Sequence, residues 1–154
     1  MDDREFVDRS TLLMPSMFRM AYSIVKNRQD AEDAVQQALL KAWKARFKAK
    51  AGYEQAWLMR IVINEAITLL RKRKGRTTVQ LPEIAVWPEE RNEQLHVWVD
   101  EMPIKLRTPF LLKYMEGMTE KEVAEALRIP QSSVKNRLLR ARRYMQEKLH
   151  EEEL

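Results

Sequence analysis

Apolar residues recur at three- and four-residue spacing along most of this chain, the period of helices with one buried face. The longest such stripe is Val134, Leu138, Ala141, Met145 and Leu149. Just before it, Val123, Ala124 and Leu127 form the expected buried face of a short helix. Thr119 and Glu122 open that helix in T-x-x-E spacing, so that hydroxyl and carboxylate each satisfy a free backbone N–H. Between the two helices, Arg128 to Pro130 breaks the pattern, because proline lacks an N–H and clashes with a preceding turn. The prediction is two short helices joined by a tight turn.

The same period runs through the first half. Asp30-Ala31-Glu32-Asp33 opens a helix with acids near the positive end of its dipole. Ala31, Ala34, Val35, Ala38, Ala42 and Trp43 fall on its inward face, and Asp33, Gln36, Gln37, Leu40 and Lys44 form the opposite row. That row is either plain solvent-exposed surface or a docking surface. A further helix is expected over roughly 53–74, with Trp57, Leu58, Ile61, Val62, Ile67, Leu69 and Leu70 as its apolar surface. It ends in Arg71-Lys72-Arg73-Lys74, four cations that favour the negative end of the dipole with or without a ligand. Asn64 sits among apolar neighbours and either satisfies backbone groups or reads a base.

Composition narrows the class. The chain has 154 residues with 45% apolar content and three glycines, enough for packed cores and rich in helix formers, so an all-α protein is expected. The expected organisation is two small helical domains, over 1–74 and 93–154, joined by a linker over 75–92. The linker reading rests on Pro82 and Pro88, on the lack of a sustained period, and on a small apolar knot of Ile84, Val86 and Trp87. No run is long and apolar enough to span a bilayer, the acidic start is unlike a secretory signal, and a cytoplasmic location is expected. With no cysteine there are no disulfides or thiolate metal sites.

Net charge is +5, distributed as +6 over 1–74, −3 over 75–100 and +2 over 101–154. Two basic ends around an acidic middle suit a polyanion contacted at two places, and a membrane surface is also compatible. From Arg128 to Lys148 seven basic residues face one acid, Glu147. Ser132, Ser133, Lys135, Asn136, Arg137, Arg140 and Arg143 lie off the apolar stripe, the layout of a helix held on one side and offering donors to phosphates and base edges on the other. A solvated basic helix in an ordinary bundle has the same pattern. Nothing resembles an enzyme: His96 and His150 are far apart, and there is neither a Gly-rich phosphate loop nor a nucleophile motif. No cofactor and no metal are expected.

Taken together the two halves resemble the extracytoplasmic-function group of bacterial sigma factors. MFRMAYSIVKNRQDAEDAVQQALLKAWKA and AWLMRIVINEAITLLRKRK are similar to its region 2, and LRTPFLLKYMEGMTEKEVAEALRIPQSSVKNRLLRARRYM to its region 4. The resemblance implies a dissociable subunit that joins core RNA polymerase, recognises promoter DNA and helps open it. It implies that Asp33, Gln36, Gln37 and Leu40 bind core polymerase, Asp33 and Gln36 matching the family's D-x-x-Q. It further implies that Asn64 works near the −10 element with Arg71, Lys72, Arg73 and Lys74 close to phosphates. Ser132, Ser133, Lys135, Arg137 and Arg140 match the helix that enters the −35 major groove, beside Asn136 and Arg143. A cognate anti-sigma factor, membrane-linked in the expected arrangement, is the further implied partner. A free-standing helix-turn-helix regulator and a helical adaptor for acidic partners are the alternatives.

The chain departs from the family's pattern in four places. Phe47-Lys48-Ala49-Lys50-Ala51-Gly52 stands where an aromatic-arginine-glycine motif is usual, Gln37 replaces a common Glu, and Gln131-Ser132-Ser133 replaces a frequent x-Gly-Thr. Pro109 is also unusual inside a helix-like run.

Overall fold

The computed structural model describes residues 1–74 and 93–153, without the side chains of Lys74, 93–96 and Glu153. The expected linker over 75–92, with its Ile84, Val86 and Trp87 knot, lies outside the described residues, as do the side chains of Lys74 and His96. Every regular element described is helical: α1 (Asp3–Val25), α2 (Arg28–Lys44), α3 (Glu54–Lys74), α4 (Glu93–Glu101), α5 (Ile104–Tyr114), α6 (Glu120–Leu127) and α7 (Gln131–Glu153), with one 3-10 turn at Arg46–Lys48. The chain divides into two compact units, the first holding α1 to α3 and the second α4 to α7. Among the described residues no helix is long and apolar enough to cross a membrane.

In the first unit all three helices pack against one another. α1 starts on Asp2, whose carboxylate accepts from the Glu5 N–H at 2.8 Å, and stops at Lys26 in a left-handed conformation. Asn27 then starts α2, its side-chain oxygen accepting from the Asp30 N–H at 2.8 Å. The helix therefore opens two residues earlier than the acids alone suggest, with Asp30 in its first turn. Ala31, Ala34, Ala38 and Ala42 are fully buried, and so small a face lets α2 lie close to Met17, Met20, Leu58, Met59 and Val62, the large buried residues of α1 and α3. Trp43 departs from the expected inward face. It is 38% exposed, its ring centre 5.4 Å from that of Phe6 in a T-shaped contact and the Arg46 guanidinium 3.8 Å over its face.

The second unit is built around α7, which α4, α5 and α6 all touch. Pro109 is fully buried within α5. Its missing N–H frees the carbonyl one turn back, at Lys105, whose side chain is exposed. Arg107 is 4% exposed and donates from Nη1 to the carbonyls of Asp100 and Met102, at 2.7 and 2.9 Å. A cation thus occupies the end of α4, where carbonyls lack helical partners. Burial pulls the guanidinium below its ordinary pKa and the nearby Asp100 carboxylate opposes that.

Candidate functional site

The turn between α6 and α7 is specified residue by residue. Glu122 N–H donates to Thr119 Oγ1 at 3.1 Å and Thr119 N–H to Glu122 Oε1 at 3.2 Å, which closes the capping box expected from T-x-x-E. α6 buries Val123 and Ala126, whereas Ala124 and Leu127, expected on that face, are only half-buried. Arg128 adopts φ 52°, and its N–H and that of Ile129 both return to the Ala124 carbonyl, closing α6. Pro130 stands just before α7, where a missing N–H costs nothing, and its carbonyl accepts from Ser133 and Val134.

α7 is fixed from within by Val134, Leu138 and Ala141, all fully buried. The expected stripe does not stay buried to its end: Met145 is half-buried and Leu149 is 49% exposed. The helix outruns its support there, and Lys148 holds the far part by an ion pair with Glu101 at 3.7 Å. On the outer side Ser132, Lys135, Asn136, Arg140 and Arg143 are exposed, and Ser133 and Arg137 half-buried. Lys135, Arg137, Arg140 and Arg143 make no ion pair or hydrogen bond with any described residue. Arg142 differs, donating from Nη1 to the Tyr114 hydroxyl at 2.9 Å. That link spans 28 residues and had no signal in the spacing of the sequence.

In the first unit Asp33, Gln36, Gln37 and Leu40 form one exposed row on α2, with Leu40 56% exposed. Beside the row Arg28 pairs with Glu32 at 3.2 Å and Lys41 with Glu65 of α3, whereas Asp33 and Lys44 pair with no described residue. On α3, Asn64 is exposed, and its carbonyl accepts from the Thr68 hydroxyl at 2.8 Å while no described residue bonds its side-chain amide. That amide does not brace the core. Arg71 and Lys72 are exposed. Arg73 instead turns inward, its Nη1 3.0 Å from Asp30 Oδ2 and donating to the Val25 carbonyl at 3.2 Å.

The segment before α3 is ordered by local contacts. Gly52 takes φ 86°, a conformation glycine adopts freely, and its N–H donates to Glu54 Oε1 at 3.2 Å. Bonds from its own N–H and from Gly52, together with Arg9 3.7 Å away, hold the Glu54 carboxyl below its ordinary pKa against the cost of burial. Phe47 is 70% exposed, with Arg46 lying 4.5 Å from its ring centre. Among the described residues no cluster of His, Cys, Asp or Glu could hold a metal ion.

Comparison with known proteins matches both units. Residues 11–76 match Sigma-70 region 2, and residues 92–145 match Sigma-70, region 4. RNA polymerase sigma factor SigV of Bacillus subtilis (strain 168) is 30% identical over 143 residues, spanning 89% of this chain and 86% of the relative. ECF RNA polymerase sigma factor SigW of the same organism is 27% identical, spanning 97% of this chain and 91% of the relative. Among solved structures, the sigma factor RpoE, seen in complex with the anti-sigma factor NepR from Bartonella quintana, superposes with a TM-score of 0.81 at 25% identity, covering 96% of this chain and 98% of that one. CnrH, in complex with the cytosolic domain of CnrY, shares the fold with a TM-score of 0.70 at 20% identity, covering 97% and 90% of the two chains. The chain thus belongs to the extracytoplasmic-function group of the sigma-70 family, and is a promoter-specific, DNA-binding sigma factor that serves RNA polymerase in transcription initiation.

Proposed function

We propose that the two units divide the work of promoter recognition. Residues 93–154 read the −35 element through Ser132, Ser133, Lys135, Asn136, Arg137, Arg140 and Arg143. Residues 1–74 bind core polymerase through Asp33, Gln36, Gln37 and Leu40 and engage the −10 element through Asn64, Arg71, Lys72 and Lys74, Arg73 being held inward by Asp30 and the Val25 carbonyl, and residues 75–92 link the two. The observation that carries this reading is the outer side of α7, where Lys135, Arg137, Arg140 and Arg143 have no partner among the described residues while Val134, Leu138 and Ala141 are sealed beneath them. Unpaired cations on an anchored helix suit a polyanion, because each phosphate they neutralise releases a counterion. RNA synthesis belongs to the polymerase, and this chain supplies recognition without catalysis, in the cytoplasm. The test is run-off transcription with purified core polymerase on promoter fragments selected from the source genome. Transcripts that require both the chain and core are expected; equal promoter footprints without core would favour a free-standing regulator instead.

Asn64 has a sharper test within the same reading. Asn64→Ala is expected to leave thermal stability within about 0.5 kcal/mol of the parent, since the amide bonds no described group. It should reduce permanganate reactivity of the opened −10 region more than initial duplex capture. Normal opening would remove Asn64 from base reading.

An anti-sigma factor completes the proposal, supported by two solved neighbours described with partners, RpoE with its anti-sigma factor and CnrH with the cytosolic domain of CnrY. A partner contacting both tethered units gains from high effective concentration, so modest single affinities give tight sequestration. The expected partner is membrane-linked. Crosslinking before lysis of non-induced cells should recover it with the chain, and recovery only as free protein or holoenzyme would count against it.

A further inference from the structure

Leu139 is the one large apolar side chain exposed on α7 from Gln131 to Arg143, at 42%, although its neighbour Leu138 is fully buried. At 100° per residue it points away from the Val134, Leu138 and Ala141 stripe and into the cationic side. One turn before it stand Lys135 and Asn136, and one turn after it Arg143, so these side chains surround it on the helix surface. Charged residues are depleted at the centre of protein interfaces, and a leucine flanked by Lys135 and Arg143, neither paired with a described residue, and by Arg142, held by the Tyr114 hydroxyl, is therefore poorly placed for an apolar protein patch. On base edges in the major groove the apolar group available to it is the C5-methyl of thymine.

Resting on the reading of α7 as the −35 helix, we propose that Leu139 selects a thymine by packing against its C5-methyl, while Arg140 and Arg143 hold the helix in register. The test uses holoenzyme reconstituted from the full chain and core polymerase. Its preferred −35 duplex is first selected from a random pool, and each thymine on either strand is then replaced singly by deoxyuridine, which removes only the methyl. At one position the parent holoenzyme should lose about three- to fivefold in affinity, the value of one buried methyl-sized group. Leu139→Ala holoenzyme should bind the thymine and deoxyuridine duplexes equally. A selected element without thymine, a parent indifferent to every deoxyuridine, or a Leu139→Ala protein that retains the parent's discrimination would overturn the proposal, as would a loss confined to core affinity. Arg140→Ala separates the two levels of inference: if it shifts the selected element while no deoxyuridine matters, α7 still reads the duplex and Leu139 alone is excluded. If Lys135→Ala, Arg140→Ala and Arg143→Ala all change nothing, the reading of α7 falls and this proposal falls with it.

Discussion

α2 and the first half of α7 each bury an apolar stripe on one side and present a polar row on the other, yet the two rows differ in chemistry. Along α2 the row is Asp33, Gln36, Gln37 and Leu40, with Lys44 one turn on; Arg28 pairs with Glu32 and Lys41 with Glu65, which leaves one acid and one cation, Asp33 and Lys44, open among the described residues. On α7 the cations Lys135, Arg137, Arg140 and Arg143 stay unpaired among the described residues. Amides around an exposed leucine match the low charge at the centre of protein interfaces, whereas unpaired cations match a phosphate backbone. On the proposed reading, how many like charges a helix leaves open separates the one assigned to core polymerase from the one assigned to DNA.

Removing the support beneath α7 should have the largest effect. Leu138→Ala empties a fully buried site and is expected to destabilise the second unit by about 2–5 kcal/mol. Amide hydrogen exchange resolved along the chain should show the loss in α5 to α7 and none in α1 to α3, the two being separate compact units. A uniform loss across both would show that the units unfold as one.

Leu40→Asp attacks the α2 row without touching its core. A charge in place of a 56% exposed leucine leaves helicity unchanged and, if Leu40 is a central contact, weakens core polymerase binding by roughly 2–4 kcal/mol. Promoter affinity of the resulting holoenzyme, once formed at saturating core, should be unaffected. Unaltered core affinity in the folded variant would return the row to plain solvent-exposed surface.

Arg140→Ala makes the reciprocal test on α7. Core binding should persist while promoter affinity falls by about 1–3 kcal/mol if the guanidinium contacts a base bidentately. A phosphate contact would instead weaken all sequences alike and reduce the slope of log affinity against log salt by about 1. Equal affinity of parent and variant across a salt series would take Arg140 out of the interface.

The all-helical class and the α6–α7 turn were legible in the sequence because local rules specify them: the Thr119 and Glu122 capping box, the apolar period and Pro130 all act within a few residues. Local periodicity also placed Asp33, Gln36, Gln37 and Leu40 correctly on an exposed face. What escaped it depends on distant neighbours. Trp43 follows Ala42 by about 100° round the helix, off the alanine stripe, and packs at the edge against Phe6 and Arg46. Met145 and Leu149 continue a stripe whose support has ended. Among the basic residues, only tertiary contacts distinguish Arg142, tied to Tyr114, and Arg107, buried at the end of α4, from the free cations of α7.

The four cations at the end of α3 carry that last point into the smallest test. As members of one basic run Arg71 and Arg73 look alike, but they lie about 200° apart on the helix. Arg73, a further seven residues along the Val62 and Ala66 face, joins all three helices of its unit, pairing with Asp30 of α2 at 3.0 Å and donating to the last carbonyl of α1 at 3.2 Å. Side chains of the pair are 29% and 23% exposed, so solvent screens part of the attraction, and the bond to an otherwise unpaired helix-end carbonyl adds to what remains. Arg73→Ala is expected to cost about 1 kcal/mol in thermal stability, Arg71→Ala less than about 0.5. On DNA the order should reverse: Arg71→Ala lowers the salt slope of holoenzyme binding by about 1 and Arg73→Ala leaves it unchanged. If Arg73→Ala spares stability and lowers the slope as Arg71→Ala does, its guanidinium leaves Asp30 for phosphate on binding, and the division between consumed and available charge is set by the ligand and not by the fold.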